Sequence, residues 1–297
     1  MRFQATYYTI MGDKNTGFYG KTTINCRGRL LDLSTPRVMG ILNLTPDSFF
    51  ADSRHKIVDE LLLSCEKMLT DGADILDIGG VSTRPGAEAV GEEEELERVI
   101  PAIEAIAKRF PEAFLSIDTY RAKVAMEAVG AGVGLVNDVS AGRFDAEMYT
   151  TVAQLKVPYI LMHMQGTPAT MQQNPQYENV VLEVLDYLVA EVSKLRELGV
   201  NDIILDPGFG FGKTVEHNFQ LLQGLDALNV TGLPILAGLS RKSMICRTLN
   251  VKPTDARNGT TALNTIALLR GAKILRVHDV KEAVECVKLV VQMQSIN

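Results

Sequence analysis

From residue 36 onward the chain repeats one unit: a short, nearly unbroken apolar run closed by a polar residue, then a longer stretch with helical spacing. The runs are "VMGILN" ending at Asn43, "ADILDIGG" with Asp77, "FLSID" at Asp118, "GLVND" with Asn137, "YILMH" at His163, "DIILD" at Asp206, "PILAGLS" at Ser240 and "KILRVH" with Arg276 and His278. Unbroken apolar runs of this kind belong to parallel strands covered on both faces. Between them, Ile57, Leu61, Leu62, Cys65, Met68 and Leu69 form one apolar stripe at i, i+3, i+4 spacing. Leu96, Val99, Ile100 and Ile103 form a second, and Val181, Val184, Leu185, Leu188, Val192 and Leu195 a third. Gly72, Gly132, Gly199 and Gly271 each stand just before a strand, where a left-handed residue ends the preceding helix.

From Asn43 to Arg276 the strand ends recur about every 33 residues, close to the ~31 expected of eight βα units in ~250 residues. The pattern predicts an α/β fold, a (β/α)8 TIM barrel. An open doubly wound sheet is the alternative, but it calls for a glycine-rich turn after the first strand, where this chain has "NLTPDSF". Residues 1–35 differ in texture: "QATYYTIM" and "GFYGKTTINC" flank a "GDKNTG" turn and predict a β-hairpin. The chain thus divides into an N-terminal β-hairpin extension, 1–35, which would close the N-terminal end of the barrel, and the barrel itself, 36–297.

Composition narrows the partners. The chain has 297 residues, 46% apolar and 22% charged, with a net charge of −6 and no long basic block. This argues against a nucleic-acid surface and for a small-molecule partner. The four cysteines are far apart, with no CxxC pair, and read as reduced core thiols. No stretch approaches the ~20 apolar residues of a membrane span, and the N-terminus lacks the apolar core of a signal peptide, so no membrane partner and a cytoplasmic location are expected.

In barrel enzymes the site forms at the C-terminal ends of the strands. Those ends carry Asn43, Asp77, Asp118, Asn137, Asp206, Lys242, Arg276 and His278. Asp and Asn acceptors suit the paired N–H donors on the edge of a planar heterocycle. Arg276 and His278, two residues apart on a strand, point the same way and make an anion pocket. Asp77 is open to two readings, a ligand or a structural cap. "DPGFGFGKT", residues 206–214, is not a nucleotide-binding P-loop, because that pattern requires glycine where Pro207 stands. Its Lys213 and Thr214 are read as the start of the next helix, His163 as a core histidine, His217 as solvated and the "EEEELE" run at 92–97 as a charged helix N-terminus.

"ILNLTPDSF", "DIGGVSTRPGA", "SIDT", "NDVSAG", "DPGFGFGKT", "LSRKS" and "RVHD", in order from residue 41 to 279, together resemble the dihydropteroate synthases. The resemblance implies the condensation of 6-hydroxymethyl-7,8-dihydropterin diphosphate with p-aminobenzoate to 7,8-dihydropteroate and diphosphate, a step of folate biosynthesis and the target of sulfonamides. It implies that Asp206, Asn137, Asp118 and Lys242 hold the pterin. Arg276 and His278, with Arg84 and Asn43, would meet the diphosphate, with Mg2+ as cofactor and Asn43 as its protein ligand. Phe49, Thr83, Arg84 and Pro85 on two mobile loops, with Lys242 and Ser243, would form the p-aminobenzoate slot. Asp118, Lys242, Arg276 and His278 would be the catalytic set, and a homodimer is implied. A methyltetrahydrofolate corrinoid methyltransferase would not need the "STRPG" loop, a non-catalytic pterin-binding barrel would have no reason to keep it, and a Schiff-base aldolase at Lys242 is a weaker alternative. The sequence departs from the family at Val81, where many members have Glu, and after Phe49, where "FADSRHK" replaces a glycine-rich turn.

Overall fold

The computed structural model describes residues 20–44, 54–81, 90–167, 170–171 and 173–296. Two short strands, β1 (Thr23–Cys26) and β2 (Arg29–Asp32), pair antiparallel. The chain then alternates β3 (Arg37–Asn43), α1 (Arg54–Thr70), β4 (Ile75–Gly79), α2 (Glu92–Arg109), β5 (Phe114–Asp118), α3 (Ala122–Ala131), β6 (Leu135–Asp138) and α4 (Met148–Leu155). It continues with β7 (Tyr159–Met162), α5 (Val180–Glu197), β8 (Ile203–Asp206), α6 (Val215–Gln223), β9 (Ile235–Ala237), α7 (Ser243–Leu249), α8 (Arg257–Leu269), β10 (Ala272–Val277) and α9 (Val280–Gln294). Strands β3 to β10 close into a parallel barrel, with β10 pairing β3. All eight predicted strands are present, and the four helix-ending glycines have positive φ: 100°, 134°, 86° and 98° at Gly72, Gly132, Gly199 and Gly271.

The alternation of side chains along each strand explains both core and site. Outward-facing residues such as Leu76, Ile78, Ile117, Val136, Leu161, Leu205 and Leu275 pack against the helices in the main core. Inward-facing residues near the N-terminal ends, Met39, Ile75, Leu135, Ile160, Ile204, Leu236 and Ile274, form a separate apolar layer across the barrel. The hairpin inserts Ile24, Cys26, Leu31 and Leu33 into that layer and closes the N-terminal mouth. Two residues further along the strands, the same inward face carries Asp77, Ser116, Asn137, Met162, Asp206, Gly238 and Arg276. The site is therefore the polar layer above an apolar floor.

The hairpin turns at Arg27 (φ 55°) and Gly28 (φ 86°), the two left-handed residues of a tight two-residue connection, with Gly28 N–H bonded to Asn25 Oδ1 at 2.6 Å. The Arg29 guanidinium lies 4.4 Å from the Phe114 ring centre, tying the hairpin to the barrel. The "GDKNTG" turn lies outside the described residues, and the observed turn had no Asn-Gly or Asp-Gly signal in the sequence. Leu33 is fully buried in the floor. Leu33→Ala is expected to cost ~2–5 kcal/mol of stability by opening a cavity there. Chemical denaturation measures this, while turnover well below the unfolding midpoint should be retained, since the site is at the opposite end.

Candidate active site

Arg276 on β10 reaches across the barrel to two carboxylates. Its Nε lies 2.6 Å from Asp77 Oδ2 and its Nη2 2.5 Å from Asp118 Oδ2. Asp77 Oδ2 also accepts from Asn137 Nδ2 at 3.0 Å. Asp77 is fully buried within the polar layer. Among the described residues it caps no helix, and its Oδ2 orients both Asn137 and Arg276. With its amide N–H donating to Asp77, Asn137 turns its carbonyl oxygen to the cavity as an acceptor.

Two carboxylates share one guanidinium, so this cluster carries an excess negative charge. Burial pushes the Asp118 pKa up to about 7, with Asp77, Glu95 and Asp138 adding to the rise and Arg276 opposing it. Burial alone would lower Arg276, but Asp77 and Asp118 hold it above its ordinary value, so the guanidinium stays charged. Asp206, at the end of β8, is raised by burial, while the Gly208 N–H bond to Oδ1 at 2.7 Å, then Lys242, Arg276 and Lys213, pull it down.

A cavity is lined by Asn137, Val139, Met162, Asp206, Phe209, Phe211, Gly238, Lys242 and Arg276. The Lys242 ammonium stands 4.2 Å from the Phe211 ring centre, a cation–π contact. Ser243 opens α7 and is exposed beside Lys242. His278 follows β10, and its N–H donates to Ser240 Oγ at 3.2 Å. The same hydroxyl lies 3.0 Å from His278 Nδ1, so two bonds to Ser240 fix the ring. Asn43 ends β3 and is exposed at the rim near Gly79, which lies beside Asp118. Among the predicted site residues, Asp77, Asp118, Asn137, Asp206, Lys242 and Arg276 converge, while Asn43, Ser243 and His278 lie at the ends of the same elements. Phe49, Thr83, Arg84 and Pro85 lie outside the described residues.

Several contributors were missed or misread. Phe209 and Phe211, the apolar residues of the "GFGFG" segment, line the cavity; aromatic residues in a glycine-rich loop after a barrel strand are the signal that could have found them. Lys213 does not simply begin a helix: it is buried, and Thr214 caps α6 in a reciprocal box with His217. His217 is half-buried against the Tyr177 ring. In the acidic run, Glu92–Glu94 fit a charged helix start, but Glu95 turns inward, fully buried, and pairs with Arg121. Arg121 also bonds the Val90 carbonyl at 2.6 Å, and Arg98 bonds the Gly80 carbonyl at 3.0 Å, so both flanks of the 82–89 segment are held.

The sequence profile of the family described as "Pterin binding enzyme" matches residues 39–278. The Haemophilus influenzae dihydropteroate synthase is 48% identical over 264 residues, covering 88% of this chain and 95% of that protein. This chain belongs to the dihydropteroate synthases. The structure of the Yersinia pestis dihydropteroate synthase in a sulfonamide drug complex superposes with a TM-score of 0.86 at 44% identity, covering 93% of this chain and all of that one. The Xanthomonas albilineans dihydropteroate synthase in complex with 7,8-dihydropteroate gives 0.82 at 40% identity, covering 93% and 100%. A dihydropteroate synthase is a transferase: the dihydropterinylmethyl group passes from diphosphate to the amino group of p-aminobenzoate in folate biosynthesis.

The raised Asp118 makes a pH-dependent contribution to the stability of this dihydropteroate synthase. Its folded pKa of about 7 exceeds the ordinary value of 3.8, so its contribution is fully present below pH ~4 and is lost as pH rises through ~7. Asp118→Asn removes that dependence. The stability difference, wild type minus variant, is expected to fall between pH 5 and pH 8 in urea denaturation, and an unchanged difference would refute it.

Proposed function

We propose that this chain binds the dihydropterin diphosphate in the Asp206–Asn137–Arg276 cavity and condenses it with p-aminobenzoate using the residues that surround that cavity. The observation that carries the reading is the convergence of one carboxylate, one oriented amide and two cations on a small cavity between Met162 and Phe211. Asp206 has one oxygen engaged with the Gly208 N–H, and its Oδ2 faces Gly238, where a side chain's first carbon would be 4.0 Å away. The carboxylate can accept the 2-amino and ring N–H edge of a pterin. Asn137 supplies a further acceptor, and Lys242 donates to the pterin carbonyl.

In the reaction the methylene carbon–oxygen bond breaks, diphosphate departs, and the aniline nitrogen bonds to the same carbon and loses a proton. Positive charge develops on the pterin as the bond breaks. Asp118, in a cluster with more carboxylate than guanidinium, is placed to stabilise it. Arg276, His278 and Arg84 would take the leaving diphosphate. Phe211, Lys242 and Ser243 would border the aminobenzoate slot, with Phe49, Thr83, Arg84 and Pro85 completing it and excluding water that could capture the cation.

Mg2+ prefers oxygen ligands and commonly keeps substrate phosphates and water among them. Among the described residues no group of three or more His, Cys, Asp or Glu side chains gathers to hold a metal alone. An exposed Asn43 at the rim fits an ion that arrives with the diphosphate, to which it would supply an amide oxygen. Bound there, Mg2+ supplies positive charge to the departing oxygens. A homodimer through the later helices is supported by exposed Ile266 and Leu269 on α8 and Leu289 and Met293 on α9, neighbours on their respective helix faces. Four free thiols support a cytoplasmic location.

Diphosphate release should require p-aminobenzoate and yield dihydropteroate; no release in its presence would refute the reading. Asp206→Ala is expected to fold and to weaken pterin binding by about 100-fold or more, since it removes charge-assisted bonds. Unchanged affinity by calorimetry would remove Asp206 from the pterin subsite.

A further inference from the structure

Beneath the cavity lies a buried cation to which the condensation assigns no role. Lys213 is 3% exposed. An ammonium has three N–H donors, and those of Lys213 are matched by the carbonyls of Gly208 (2.9 Å) and Phe211 (3.1 Å) and by Nδ1 of His163 (3.0 Å). The last contact makes His163 Nδ1 an acceptor, so the imidazole is neutral with its proton on Nε2. Burial, then the charges of Lys213 and Arg143, push the His163 pKa down to about 2.

Both carbonyls belong to the segment that carries the cavity-lining Phe209 and Phe211. Gly208 N–H bonds Asp206, and the Phe211 ring carries the Lys242 ammonium. The loop between them has little slack. A side-chain carbon on Gly208 would stand 1.9 Å from the His163 carbonyl oxygen, and one on Gly212 2.3 Å from that of Gln165. Gly210 N–H bonds Asn218 Oδ1 at 2.6 Å, and Tyr177 bonds the Gly212 carbonyl at 2.8 Å.

Hydrogen bonds alone do not account for a charge here, because burying an ammonium is costly without a counter-charge. Asp206 is that counter-charge. Burial lowers Lys213 to about 7 against the pull of Asp206, and Lys213 is among the cations that offset the burial of Asp206. The groups facing this pair are His163 from the end of β7, Lys242 from the β9–α7 turn and Arg276 from β10. Arg143, Tyr187 and Tyr177 stand around His163, and His217 on α6 packs against Tyr177.

We propose that Lys213 is a positioning residue for the pterin subsite: it pins the Gly208–Phe211 loop and, with Lys242 and Arg276, supplies positive charge that keeps Asp206 a carboxylate, the form that accepts the pterin N–H edge. The proposal rests on the assignment of Asp206 to the pterin, so wild type and Asp206→Ala are measured in parallel.

The experiment is calorimetric titration with 6-hydroxymethyl-7,8-dihydropterin from pH 6 to pH 9, with Lys213→Met and Lys213→Gln alongside. Without its counter-charge Asp206 takes up a proton at higher pH. Lys213→Met should therefore bind about tenfold or more weakly at pH 6, with the gap to wild type narrowing toward pH 9. Lys213→Gln, which keeps donors for the carbonyls, should recover affinity at pH 9 but not at pH 6. Binding within twofold of wild type at every pH, or a loss of the same size at every pH, overturns the proposal. Should wild type fail to bind, or Asp206→Ala bind as tightly, the Asp206 assignment falls instead. If neither Lys213 variant folds, 15N NMR of the wild-type Lys213 ammonium decides. Its signal should move when pterin is added, and an unmoved signal overturns the proposal.

Discussion

The half-buried guanidinium of Arg276, held between Asp77 and Asp118, is the interaction around which the C-terminal end of the barrel is organised. It joins β10 to β4 and β5 across the interior. Through Asp77 it also sets the orientation of Asn137 on β6. A buried charge of this kind is tolerated only with close partners, because the interior offers no water to replace them. Here two carboxylates face one guanidinium, so the cluster holds more carboxylate than guanidinium.

A second group of opposed charges lies around Asp206, with Lys242 lining the cavity and Lys213 buried behind its wall. The apolar floor under both sets has a separate function. Met39, Ile75, Leu135, Ile160, Ile204, Leu236 and Ile274, stoppered by the hairpin, keep water out from the N-terminal side. The polar layer can then be held at fixed geometry in a low-dielectric setting, where directed dipoles and charges act strongly.

Much of this was legible in the sequence, for definite reasons. Strands buried on both faces give apolar runs, and the two-residue repeat places Asp77, Asn137, Asp206 and Arg276 on the inward face. Asp118, Asn137, Asp206, Lys242 and Arg276 therefore stand out as a set from the linear pattern alone. Their pairing does not. That Arg276 bonds Asp77 and Asp118, and that Lys213 lies beneath the site rather than on the surface of a helix, depends on contacts between distant segments that no local pattern encodes. Glu95 shows the same limit, since an acidic run at a helix start reads as solvated although one member turns inward to Arg121. The hairpin turn at Arg27 and Gly28 was missed because its residues are not the usual signature of such a turn.

Closure of the barrel by parallel pairing of β10 with β3 has a consequence for biosynthesis. The bond between Arg276 and Asp77 spans 199 residues, and β10 is the last of the eight barrel strands in chain order. The seven other barrel strands can emerge from the ribosome before the guanidinium that pairs with Asp77 and Asp118 exists. Until then both carboxylates must stay hydrated or protonated, and the interior cannot dry. Completion of the binding site and completion of the fold are one late event, so chains that stop short of β10 have neither.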